Sequence, residues 1–162
     1  MSQTIGATEI FPYTPVVATR SRKDKLAAET WRRLHDFFWQ RKDEHLGVLR
    51  EMGLTPGHMK ALFVLDLGEP RPMGALAESL VCDASTVTWL VDSLEERGIV
   101  ERRPLPTDRR VKTVALTPLG AKTKAELLDR LYEPPQVLRD LDSADLEALI
   151  AVLEKIPDEA GD

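Results

Sequence analysis

A single cysteine, Cys82, stands in 162 residues, which excludes an intrachain disulfide framework. No apolar run approaches the length of a membrane span. The first residues lack the basic segment and following apolar stretch of a secretory signal, so the cytoplasm is the expected compartment. Histidine is equally scarce. His35, His45 and His58 lack a spacing that puts two ligands on one helical face, and no cysteine lies among them, so no metal is expected. A nucleophile elbow, a phosphate loop and a paired-carboxylate motif are all missing. An enzyme has no chemistry to rest on here, and no cofactor is implied. What remains is 43% hydrophobic and 30% charged, the balance of a soluble globular chain. Its length suits one domain, or one domain with a dimerisation extension. No internal repeat or low-complexity tract is visible.

The formal net charge is -5, which at first argues against a nucleic-acid partner. Its distribution argues the other way. Between Arg97 and Lys112 there are six basic residues (Arg97, Arg102, Arg103, Arg109, Arg110, Lys112) against two acidic ones, Glu101 and Asp108. A local basic patch on an acidic body suits DNA binding with little non-specific adhesion.

The patch belongs to the stretch that organises the chain, Asp83 to Thr117. Val87, Leu90, Val91 and Leu94 recur at i, i+3, i+4 and i+7, so they form one apolar stripe of a helix. Asp83 occupies the N-cap position, and Gly98 the left-handed position after the helix. Ile99 to Arg103 reads as a short strand, Pro104 to Asp108 as a turn, and Val111 to Leu116 as a second strand. A helix followed by a hairpin with a basic tip is the plan of a winged helix. The helix suits the major groove, and the hairpin reaches the phosphates or the minor groove beside it.

The other elements fit around this one. Residues 1–22 show no period and contain Pro12 and Pro15. They are expected to form a flexible arm, although Ile10, Phe11 and Tyr13 would also suit an arm packed over a partner. Asp24 to about Leu49 reads as one long helix carrying Trp31, Phe37, Phe38 and Trp39. Glu51-Met52-Gly53 ends it. Thr55-Pro56 caps and opens the next helix, with Met59, Leu62, Phe63 and Leu67 as its buried stripe and a break at Gly68 to Pro72. Gly74 to Leu80 reads as a short helix with Leu76, Ala77 and Leu80 inward. With the helix after Asp83 it makes a helix-turn-helix. Thr117-Pro118 starts another helix, running to about Tyr132, which Pro134-Pro135 must interrupt. The last begins at Asp142, with Asp145 as a short-armed capping-box partner and Leu146, Leu149, Ile150 and Leu153 as its stripe. The predicted fold is mostly α with a small β-hairpin wing. A winged helix-turn-helix (55–117) sits between helical dimerisation segments (23–54 and 118–156), with a tail at 157–162.

Several phrases in this order resemble the MarR family (multiple antibiotic resistance regulators). They are Val87-Thr88 and Leu90-Val91-Asp92 in the helix, then Leu94-Glu95-Glu96-Arg97-Gly98-Ile99-Val100. In the wing they are Asp108, Arg110 and Leu116-Thr117. A weaker likeness extends from about Leu26 to Ile156. The resemblance implies a homodimer interlocked through its terminal helices, double-stranded DNA as partner, and repression as the usual mode. It also implies a small aromatic effector in a cleft, for which Trp31, His35, Phe38 and His58 are candidates. Plain core packing is the competing reading for each of those four.

Helical geometry puts Ser85 and Trp89 opposite the apolar stripe, flanked by Thr86, Thr88 and Ser93. These are the candidate groove contacts, since hydroxyls hydrogen-bond base edges or phosphates. Relatives often carry Arg where Trp89 and Ser93 stand. Trp89 therefore either meets sugars and thymine methyls or covers the core edge. In the wing, the resemblance makes Arg110 the minor-groove residue and Asp108 the residue that fixes the hairpin, with Arg109 beside them. Arg suits narrow minor grooves, whose potential is strongly negative. Arg103 and Lys112 are candidate phosphate contacts, and Arg103 is also a candidate for holding the wing to the helix. Cys82, just before the recognition helix, reads as a small buried hydrophobe or as a redox-active thiol. The expected function is a sequence-specific, ligand-responsive repressor binding a pseudo-palindromic operator as a dimer. The alternative is a winged-helix interaction adaptor with weak or no DNA binding.

Overall fold

The computed structural model describes residues 21–105 and 108–157, with Arg109 described by its backbone alone. Most of the expected arm and tail, and residues 106–107 of the expected turn, lie outside the described residues. The chain divides into two compact units, Met1–Asp43 and Glu44–Asp162.

In the first unit, helix α1 spans Arg22–Gln40. Ser21 and Asp24 close a capping box at its start: the Ser21 hydroxyl accepts the Asp24 amide at 3.2 Å, and the Asp24 carboxylate accepts the Ser21 amide at 3.0 Å. The long helix expected to reach Leu49 is broken at Arg41, a correction to the sequence reading. The Arg41 amide turns to Phe38 O at 3.2 Å. Phe37 O, which that amide would have bonded in a continuing helix, instead accepts the Arg41 guanidinium at 3.0 Å. The guanidinium also lies 4.0 Å from the centre of the Phe37 ring. One side chain thus satisfies the carbonyl that the break leaves open. Helix α2 follows at once, over Lys42–Glu51.

The second unit holds the core. Gly53, at φ +65°, turns the chain after α2. Helix α3 spans Pro56–Val64, and Thr55 and His58 form its capping box. It ends sooner than the sequence stripe implied, before Leu65. Leu62 is buried as expected, but Phe63 and Leu67 are exposed, and Ala61 and Leu65 fill the core instead. Strand β1, Arg71–Pro72, lies within the expected break. Helix α4 spans Met73–Leu80 and helix α5 spans Ala84–Glu96, capped by Asp83. Strands β2 (Val100–Leu105) and β3 (Asp108–Leu116) form the hairpin, and β1 pairs on the other edge of β3 to give the order β1-β3-β2. The strands extend further toward the tip than expected: Pro104 pairs with Lys112 and Leu105 with Asp108. Proline is tolerated there because β2 is an edge strand.

Helix α6 (Pro118–Leu131) is capped by Thr117. It approaches the hairpin so closely at Gly120 that a Cβ there would lie 2.0 Å from Ile99 O. A four-residue helix α7, Gln136–Arg139, follows the Pro134-Pro135 break. Helix α8 is Ser143–Leu153. The Asp142 carboxylate accepts the Asp145 amide, but only that half of the expected capping box forms. Leu62, Leu65, Leu76, Val91, Leu94, Val114 and Leu127 are fully buried. Each such side chain contributes roughly 1.5–3 kcal/mol by leaving water. Helices α3, α4, α5 and α6 and strand β3 thus meet in one core. No residue of α8 is buried.

Candidate nucleic-acid interface

Helix α5 turns Val87, Leu90, Val91 and Leu94 inward and leaves Ser85, Thr86, Thr88 and Trp89 exposed, as its spacing predicts. Ser93 is half-buried. The hydroxyls on the exposed face are already engaged as donors. Ser85 donates to Asp83 Oδ1, Thr86 to Asp83 Oδ2 at 2.9 Å, and Thr88 to Ala84 O at 2.8 Å. The Thr86 amide also donates to Asp83, at 2.8 Å. The Ser85 hydroxyl, followed by the amide and hydroxyl of Thr86, holds the Asp83 carboxyl far below the usual carboxylate range. Towards DNA, these hydroxyls offer lone pairs and, for threonine, methyl groups.

Trp89 both packs and protrudes. Its ring stacks on His58, with centroids 5.7 Å apart and planes at 16°, yet it is 58% exposed. His58 is only 3% exposed. Its Nδ1 accepts the Thr55 amide at 3.2 Å, and its Nε2 is buried with no partner. Burial, helped by the nearby Arg97 charge, lowers the His58 pKa. An Nδ1 that accepts the Thr55 amide carries no proton, so the capping bond is made by the neutral ring. The sequence did not signal this contact, because the partners are far apart in the chain and belong to different helices.

The basic patch divides into structural and available cations. Arg97 donates to Gly53 O at 2.7 Å and Met52 O at 2.8 Å, closing the C-terminus of α2. Arg102 fastens the hairpin to α5. Its guanidinium pairs with Asp92 and Glu95, and its amide donates to Glu95 at 2.9 Å. Burial alone would lower the Arg102 pKa, but the hydrogen bonds and charges of Asp92 and Glu95 outweigh it and raise the value. The tether considered for Arg103 thus belongs to its neighbour. Arg103 points to the other face of β2 and pairs with Glu101 on the same strand. A signal was available: Asp92 and Glu95 lie at i and i+3 on α5, one helical face, which only one of two consecutive strand residues can meet. Arg110 and Lys112 are exposed and form no ion pair among the described residues. The Asp108 carboxylate accepts the Arg110 amide at 3.0 Å, which fixes the backbone where Arg110 leaves the hairpin.

Of the four candidate cleft residues, three (Trp31, His35, Phe38) lie on α1 in the first unit and His58 lies in the second. Trp31 and Phe38 are exposed on α1, His35 stacks on Trp39 at 5.8 Å, and His58 is in the core. Within the second unit, a cavity of about 210 Å³ is lined by Gly57, Lys60, Leu80, Val81, Cys82, Thr86 and Leu90. Cys82 is half-buried there and packs against the core. Among the described residues no group of acidic, His or Cys side chains could hold a metal, and no helix is long and apolar enough to cross a membrane.

Residues 54–112 match the sequence profile described as the MarR family. The chain is 30% identical over 143 residues to YcgE, an HTH-type transcriptional regulator of Bacillus subtilis, covering 86% of this chain and 90% of that protein. The crystal structure of YusO from Bacillus subtilis superimposes with a TM-score of 0.70 at 25% identity, covering 84% of this chain and 96% of YusO. A mutant of MepR from S. aureus, bound to an oligodeoxyribonucleotide, superimposes at 0.59 over 80% of this chain and 94% of its own; at 19% identity it shares the fold alone.

Proposed function

The chain belongs to the MarR family, and from that premise we propose that it is a repressor that binds a pseudo-palindromic operator as a homodimer. The observation that carries this reading is the Arg102 tether. It fastens to α5 the hairpin that carries the Asp108-anchored Arg110, as a groove helix with a flanking wing requires. A two-fold dimer presents two such units, so half-sites centred roughly 10 base pairs apart are expected. The dimer itself is supported by the exposed apolar side chains of α8 (Leu149, Ile150, Leu153) and of α1 (Leu26, Trp31, Phe38). An interface is the ordinary destination of such surfaces. The effector class that goes with this reading is a small aromatic acid bound against the α1 aromatics; quenching of tryptophan emission on titration tests it. No observation favours the adaptor.

The deciding experiment is a mobility shift on the DNA upstream of the protein's own gene, at several salt concentrations. Arg110→Ala is expected to weaken binding by on the order of 1–3 kcal/mol. Lys112→Ala, a phosphate contact, is expected to lower affinity evenly across sequences and to reduce the salt slope by about one. If Arg110→Ala binds like the parent at every salt, the hairpin is not a minor-groove reader. Sedimentation of a monomer at micromolar concentration would remove the dimer.

A further inference from the structure

The exposed face of α5 is unusual in what it can offer a base pair. The hydroxyl hydrogens of Ser85, Thr86 and Thr88 are held by Asp83 and by the helix backbone. No Arg, Lys, Asn or Gln stands between Ala84 and Glu96, so the helix has no bidentate base reader. Its one large outward group is Trp89, the sixth residue of α5. Beyond its stack on His58, an indole left 58% exposed offers uncovered apolar area. Its only polar atom is a donor N–H. Among the base edges of the major groove, the apolar feature is the thymine methyl.

The stack makes this indole more than a solvent-exposed side chain. His58 is buried and cannot turn freely, because its Nδ1 also closes the capping box of α3. Trp89 lies nearly parallel to that fixed ring, with centroids 5.7 Å apart, and stays 58% exposed. A side chain already ordered loses little conformational entropy on meeting its target. We propose that Trp89 is the specificity-determining residue of the recognition helix and reads a thymine methyl, and that His58 is the positioning residue that holds the indole for it. This rests on the DNA-binding reading above.

The test is a uracil-for-thymine scan of the operator with the full chain, since each exchange removes one methyl group and no hydrogen-bonding atom. One thymine per half-site is expected to be sensitive. Replacement should weaken binding about 4-fold in one half-site and about 15-fold in both, the value of one buried methyl counted once and twice. Trp89→Ala should bind thymine and uracil operators equally. Two His58 variants separate positioning from folding. His58→Gln keeps an acceptor for the Thr55 amide, as Gln does in a capping box, but has no ring, so it should fold and lose the discrimination. His58→Phe keeps the ring and lacks the acceptor, so it should be less stable and keep the discrimination. The inference is overturned if no thymine is sensitive, if the sensitivity survives Trp89→Ala, or if the Gln variant discriminates while the Phe variant does not. A parent that binds operator DNA with no uracil effect removes this inference alone. A parent that binds no upstream DNA removes the DNA-binding reading with it.

Discussion

Helices α5 and α8 are started by the same device. Asp83 accepts the amide of Thr86, and Asp142 accepts that of Asp145, each at 2.8 Å. Both helices carry an apolar stripe at helical spacing. Yet the stripe of α5 (Val87, Leu90, Val91, Leu94) is at most 5% exposed, whereas in α8 Leu149, Ile150 and Leu153 are 38–55% exposed. Local chemistry makes a helix start, and periodicity gives it an apolar face, but neither says what covers that face. For α5 the answer lies in α3, α4 and the hairpin. In α8 Leu149, Ile150 and Leu153 stay exposed, and a second copy of the chain is the proposed cover.

The largest expected effects test that contrast directly. Leu94→Ala should lower unfolding stability by about 2–5 kcal/mol, because the surrounding core cannot collapse fully into the space left. Leu153→Ala should change the stability of the dilute monomer by no more than about 0.5 kcal/mol, the usual range for an exposed site. It should still weaken self-association. Denaturant titrations at low and high protein concentration measure both. A Leu153→Ala loss that is equal at the two concentrations would mean that α8 packs on its own subunit.

The same contrast marks what could be read from residues alone. The capping residues Thr55, Asp83, Thr117 and Asp142 before α3, α5, α6 and α8 were legible, as was Gly98 at φ +67°. Each of these depends on atoms a few residues away. The Arg41 break was hidden because it replaces one satisfied carbonyl by another, with no helix-breaking residue to announce it. Strand β1 was hidden because two residues, one a proline, become a strand only through their pairing with Thr113 and Val114. In the site, the exposed face of α5 was legible from spacing, and the part of Asp108 in fixing the wing was implied by the family resemblance. The roles of Arg97, Arg102 and His58 were not, because each is set by a partner on another element.

The next effect in size separates adjacent cations within the α5 region. Arg102→Met removes the tether between hairpin and helix and leaves Asp92 and Glu95 without their shared partner. With the Arg102 side chain 20% exposed, a loss of about 1–2 kcal/mol is expected, the range for charged hydrogen bonds discounted for solvent screening. Operator affinity should fall as well, because the wing is no longer held against α5. Arg103→Ala, whose pair with Glu101 is open to water, should stay within about 0.5 kcal/mol of the parent. Thermal unfolding and a mobility shift on both variants check this. Equal stability losses would show that the two pairs do not divide the work between structure and surface.

The smallest effect has the opposite sign and concerns how the two helices are approached. Before α5 the chain passes through Val81 at φ 50° and ψ 49°, the left-handed region in which a β-branched residue is a genuine outlier. The conformation is held by the Val81 amide bonding Glu78 O at 3.1 Å and the Cys82 amide bonding Ala77 O at 3.2 Å, which close the end of α4. The valine side chain is 92% exposed, so little packing offsets its strain. Glycine removes the roughly 1–2 kcal/mol cost of the left-handed turn and gives back roughly 0.5–1 kcal/mol in unfolded-chain entropy. Val81→Gly should therefore gain about 0.5–1 kcal/mol. The approach to α8 has no such residue, since Asp142 lies at φ -74°, and Leu141→Gly should bring no gain. Denaturant unfolding of the two variants measures the difference, and operator binding by Val81→Gly sharpens it. A gain in stability with unchanged affinity would make the strain incidental. A gain with weakened affinity would mean that the strained turn, or the exposed valine itself, serves the α5 surface. A loss of stability would refute the account of Val81 as a strained residue.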